Sequence, residues 1–143
     1  MPYTNLAEVL NDHDQALLVL LTDRADPPAG VVDSNRIQEA VDAADEIIDG
    51  YLKARYQLPL NPIPKVLKGH AQTLSIYYLY STHPAETPAY VMSAYDRTVA
   101  YLRGIAKGDI RLAGEMPVDS GSAGSAVYVA GSRTFDSDSL RNY

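Results

Sequence analysis

Residues 33–56, DSNRIQEAVDAADEIIDGYLKARY, carry the clearest periodic pattern in the chain. Ile37, Ala40, Val41, Ala44, Ile47, Ile48, Tyr51, Leu52 and Arg55 recur at steps of three and four, which gathers them on one face of an α-helix. Glu39, Asp42, Asp45, Glu46 and Asp49 fall mainly on the other faces. Asp33 or Ser34 can accept the first free backbone amides as an N-cap, and the helix is expected to run to about Tyr56. Gly50 inside it costs about 1 kcal/mol relative to alanine, which marks either close helix contact or a slight bend.

On the N-terminal side, Asp26-Pro27-Pro28-Ala29-Gly30 makes 22–33 a loop, since proline removes a backbone donor and biases the preceding residue away from helix. Before it lies a segment from Asp12 or Asp14 to Leu21. Its continuous apolar run shows no face, although its Leu and Ala favour helix over strand. A short first helix, with Thr4 as its N-cap, places Leu6, Val9 and Leu10 at helical spacing.

On the C-terminal side, Leu58-Pro59-Leu60-Asn61-Pro62-Ile63-Pro64 is a stiff connector. A helix from about Lys65 to Ser81 follows, with Val66, Leu67, Leu74, Tyr77 or Tyr78, and His70 as its candidate buried residues. His83-Pro84 ends it. Thr87 is the expected cap of another helix, with Pro88 at its first position and Val91, Ala94, Tyr95, Thr98, Leu102 and Ile105 on one face; Gly108 is its stop. Beyond that, Asp109 to Leu112 suits a short strand, 116–126 a Gly/Ser/Ala linker, and Ala126 to Val129 and Thr134-Phe135 extended pieces. The expected fold is all-α: a compact bundle of four to five helices over 1–112, then an extended C-terminal tail, 113–143, with short strand segments.

The 143 residues suit one domain. The absence of cysteine excludes disulfides, thiolate zinc sites and cysteine nucleophiles, and fits a reducing compartment. The longest apolar run, Ala16 to Leu21, is far below the ~20 residues of a membrane span, and the N-terminus has no signal pattern, so a soluble intracellular chain is expected. Eleven tyrosines against one Phe and no Trp suit either surfaces buried on assembly or half-buried helix positions. The net charge of -6 is unevenly spread: residues 1–50 are strongly acidic and residues 51–112 are basic. Such a molecule can neutralise itself internally or stack acidic face to basic face with its copies.

No motif assembles a catalytic, metal or cofactor site. Asp12-His13-Asp14 has neighbours that diverge on a helix, which favours capping and exposure over metal ligation. Counted from Asp23, the 23–34 loop has Ala25, Pro27, Pro28 and Ser34 where a calcium loop needs oxygen ligands, a glycine and a glutamate. Ser120 to Ser125 lacks the Lys-Ser/Thr ending of a phosphate loop, no serine sits in a nucleophile elbow, and His70 and His83 have no identifiable partners. The dispersed basic residues and a pI near 4.9 argue against a large phosphate footprint.

Taken in order, several segments resemble a family of proteins from Mu-like phages and prophages that are regarded as head–tail adaptor (neck, or head-completion) proteins. They are Leu21-Thr22-Asp23-Arg24, Val32-Asp33, the distinctive block from Ile47 to Leu60 (IIDGYLKARYQLPL), Pro64-Lys65-Val66-Leu67, and the terminal run from Arg133 to Tyr143. Many members have a more acidic, glycine-containing first loop, from which Pro27-Pro28 departs. The resemblance implies a non-enzymatic, cofactor-free virion subunit, present in the host cytoplasm before assembly. It would be monomeric alone and would form a homo-oligomeric ring of twelve below the portal protein, contacting tail-side neck or terminator proteins. DNA would pass through without specific binding, and no membrane is involved. On this reading Phe135, Leu140 and Tyr143 are candidate anchors on the portal or a neighbouring subunit. The competing classes are a small helical ligand-binding domain or enzyme, marked by a pocket with converging titratable groups, and a host-regulatory protein, marked by a one-to-one complex.

Overall fold

The computed structural model describes residues 2–84 and 86–113. They contain five helices: α1 (Leu6–Asp12), α2 (Gln15–Thr22), α3 (Ser34–Leu52), α4 (Lys65–Thr82) and α5 (Ala89–Lys107). The chain is all-α, and no strand occurs among the described residues. The expected linker and extended pieces beyond residue 113 lie outside them, so the 1–112/113–143 division is described on its N-terminal side only.

The stripe read from 33–56 serves two clusters. Ile37, Ala40 and Val41 join Val9, Leu18, Leu21, Ile76, Leu79, Tyr80 and Val91. Ala44, Ile48 and Leu52 join Tyr3, Tyr56, Leu60, Leu67, Ala71, Leu74, Leu102, Ile105 and Leu112. The order along each helix sets its direction: α4 enters the second cluster first and the first cluster last, so it runs antiparallel to α3, and α5 reverses again. The long helices therefore form an up-down-up triangle with mutual contacts on all three sides, and α1 and α2 pack on α3.

Several local expectations shift for identifiable reasons. Asn5, not Thr4, caps α1, its side chain accepting from Glu8 N–H at 3.0 Å, while the Thr4 hydroxyl donates to the Glu8 carboxylate. Asp14 caps α2 and Asp33 caps α3. Helix α3 stops at Leu52, four residues early, and the chain turns there, with Arg55 and Tyr56 amides donating to the Leu52 carbonyl. The cap of α5 is Pro88, without a side-chain bond, so Thr87 does not cap it. Ile47 and Val66, expected inside, are 39% and 45% exposed, because no other described element covers those sides of α3 and α4.

The expected strand at Asp109–Leu112 is replaced by a helix-terminating turn. Gly108 takes the left-handed conformation (φ 89°), and its amide donates to the Ile105 carbonyl while the Asp109 amide donates to that of Gly104. This is a Schellman ending, and it uses the donors a strand would need. Ile110 then folds onto Gly104, where a Cβ would come within 2.7 Å of its side chain. Gly50, in contrast, has open space around it, so the close helix contact expected there does not occur among the described residues.

Glycine thus has opposite meanings at different positions. Gly108→Ala should lower stability by about 1–2 kcal/mol because an L side chain is strained there, whereas Gly50→Ala should raise it by about 1 kcal/mol through helix propensity. Thermal denaturation of the two variants checks both signs.

Candidate functional site

The end of the bundle is closed by the segment after α3. The Arg55 guanidinium donates to the Lys107 carbonyl at 2.9 Å, placing a cation at the negative end of the α5 dipole. It lies so close that a Cβ on Gly108 would collide with it, a second reason for glycine there. One residue on, the Tyr56 hydroxyl accepts from the buried Leu112 N–H at 3.1 Å. Leu58, Leu60 and Ile63 of the proline-rich connector pack into the same cluster.

At the opposite end, the 22–33 loop is tied by its own polar groups. Asp23 accepts from the amides of Ala25 (3.1 Å) and Gly30 (2.6 Å), and these bonds, the Gly30 one foremost, hold its carboxyl below the usual range. Thr22 hydroxyl donates to the Leu18 carbonyl and accepts from Asp33 N–H at 3.0 Å, so the two ends of the loop meet. Arg24 reaches across to the Thr82 carbonyl at the end of α4. The Asp23 carboxylate is used to shape backbone.

The residues before α1 are pinned to α3. Tyr3 N–H donates to Asp45 at 3.0 Å, and its hydroxyl donates to Asp49. Asp45 is only 7% exposed. Burial raises its pKa, an effect the Tyr3 amide opposes in part. Tyr3 is itself raised, first by burial and then by the Asp49 bond.

The Asp12-His13-Asp14 triplet diverges, as capping requires. Asp12 accepts from Gln72 of α4, Asp14 from Ala16 N–H, and His13 borders a cavity also lined by Ile76, Tyr90 and Val91. Its buried Nε2 has no hydrogen-bond partner among the described residues, and burial depresses its pKa. Among those residues no three His, Asp or Glu side chains converge. His70 does have partners, which the sequence did not reveal: Thr98 at 3.0 Å and Tyr101 stacked at 4.4 Å between ring centroids. Tyr77 and Tyr95 stack likewise at 3.9 Å. The described tyrosines are thus mostly packing groups between helices, with Tyr90, 67% exposed, the exception. The cavity beside it, about 190 Å³, is mainly lined by apolar atoms.

The profile of the family described as Bacteriophage Mu, Gp36 matches residues 3–130. This chain belongs to that family. It is 34% identical over 86 residues to the Mu-like prophage FluMu protein gp36 of Haemophilus influenzae, an alignment covering 60% of this chain and 59% of that protein, less than two thirds of its length. It is 30% identical over 108 residues to Gene product J of Escherichia phage Mu, covering 76% and 74% respectively. The family places the chain among phage proteins, as the motifs in the sequence implied. No helix among the described residues is long and apolar enough to cross a membrane.

Those motifs now have positions. Thr22-Asp23-Arg24 and Val32-Asp33 are the two ends of the tied loop, and Tyr51 to Leu60 is the closure over the end of α5. In this member of the Gp36 family they hold the fold. The candidate anchors Phe135, Leu140 and Tyr143 lie outside the described residues.

Tyr56→Phe leaves the buried Leu112 N–H without its acceptor and should cost about 1–3 kcal/mol, read by denaturant unfolding. Asp45→Asn keeps an oxygen for the Tyr3 amide and removes a buried charge. In the parent protein Asp45 has a folded pKa above its unfolded value near ~4, so the native state holds the extra proton between the two values and stability falls as pH rises through that window. The substitution should flatten this fall, seen by comparing melting temperatures from pH 4 to 7.

Proposed function

We propose that this chain is a head–tail adaptor subunit of a Mu-like phage, forming a ring below the portal and joining the capsid vertex to the tail. The observation that carries the reading is membership of the Bacteriophage Mu Gp36 family over residues 3–130. The described body supports it physically: its titratable groups are largely spent on caps, loop ties and helix closure, and in the cleft of about 320 Å³ beside the first loop Asp23 holds backbone amides while Asp33 caps α3 and pairs with Arg36. On this reading the protein makes and breaks no covalent bond. It acts through its surfaces and needs no cofactor.

Within the particle the subunit would sit in the neck, having been in the host cytoplasm before assembly, and would contact the portal, tail-side neck or terminator proteins and further copies of itself. A ring of twelve suits the portal vertex, and DNA would pass through it without sequence-specific contacts. The acidic balance of residues 1–50 would favour sliding if that half faces the channel. Phe135, Leu140 and Tyr143 serve in this reading as apolar anchors of a C-terminal arm on the portal or a neighbouring subunit.

Two measurements test the reading. Residue-resolution imaging of the virion should place the chain as a ring between portal and tail; its absence from the particle refutes the assignment. Deleting 131–143 should leave the melting temperature of the helical body within a few degrees while abolishing portal binding; unchanged portal binding by the truncated protein refutes the anchor role.

A further inference from the structure

The outer seam between α4 and α5 is a continuous groove. Its two halves, about 190 Å³ beside His13 and Tyr90 and about 260 Å³ beside Val66 and Arg97, share Gly69, Thr73 and Ala94. Gly69 lies in the second turn of α4, where glycine weakens a helix, yet an added Cβ would meet nothing within 4 Å. The described part of the chain therefore supplies no reason for a glycine in the groove; close approach by another backbone does.

The opposite side of the triangle has matching features. The outward face of α3 exposes Glu39, Asp42 and Glu46, with Ile47 beside them and Gly50 equally open. Because α4 and α5 touch each other and both touch α3, their outer seam faces away from α3. One molecule thus presents an acidic, partly apolar ridge on one side and an apolar groove with an exposed Arg97 on the other. The charge imbalance along the sequence is consistent with this geometry, since residues 1–50 are acidic and 51–112 basic.

We infer that the outer face of α3 in one copy docks into the α4/α5 groove of the next, with Arg97 facing the α3 carboxylates and the two open glycines allowing the helices to approach closely. The contact is heterologous, so it repeats from copy to copy and closes only if the rotation permits. The inference deepens the ring-subunit reading above and rests on it, supplying the surfaces of the subunit contact.

The cysteine-free chain allows a direct test. Full-length Ala43→Cys and Ser93→Cys proteins are mixed at high concentration and treated with a bis-maleimide. The mixture should give a cross-linked dimer, each variant alone should give little, and a chain carrying both substitutions should give a ladder. Arg97→Glu should cut the mixed product at least tenfold, and Glu46→Arg in the partner should restore it. Gly69→Leu should do the same as Arg97→Glu without lowering the melting temperature, which separates a docking role from a folding one. No mixed product, a product indifferent to Arg97→Glu, or self-linking of the Ala43→Cys protein alone overturns the surface pair. A neck ring imaged in the particle without these cross-links would sink this contact and spare the adaptor reading; a ladder from a chain absent from virions would do the reverse.

Discussion

All the other helices contact α3. Its apolar stripe is long enough to be shared, so the N-terminal half of α3 organises the cluster with α1 and α2 while its C-terminal half organises the cluster closed by Tyr56 and Leu112. This constraint explains the rest of the arrangement. The stripe commits one broad face of α3 inward; Asp45 and Asp49 are covered by Tyr3, and Glu39, Asp42 and Glu46 are left on the side that no other described helix covers.

The segments that mark the family are mostly devices for ending helices. A helix end leaves carbonyls or amides without intrahelical partners, and a small bundle has little spare structure with which to satisfy them. Here Arg55 serves the carbonyl end of α5, Tyr56 serves the amide of Leu112, and Thr22 joins both sides of the first loop. Polar residues clustered in a motif can suggest a reaction centre. Here Asp23, Arg24, Arg55 and Tyr56 take backbone groups as their partners.

The surfaces carry the information that the core does not. An acidic ridge on α3, an apolar groove bearing Arg97, open glycines within α3 and α4, and exposed apolar residues at Ile47, Val66 and Tyr90 are costly or neutral for one chain in water. In the subunit contact proposed above they would become favourable, since there apolar area leaves water and the charges are less screened.

The sequence by itself determined the helical class, the positions of α2 to α5 to within a few residues, the stop at Gly108 and the family, because helical spacing, proline, capping side chains and glycine act over a few neighbours. It also indicated capping by Asp14, whereas His13, expected to be exposed with its neighbours, is half-buried. Only the tertiary structure decided that Ile47 and Val66 face outward, that His70 meets Thr98 and Tyr101, and that Asp109 to Leu112 forms a turn in place of a strand. Periodicity shows that a helix has an apolar face, but the width of that face actually covered depends on where the other helices come to rest. Bonds such as Tyr56 to Leu112 join residues 56 apart, a distance over which local propensity carries no signal.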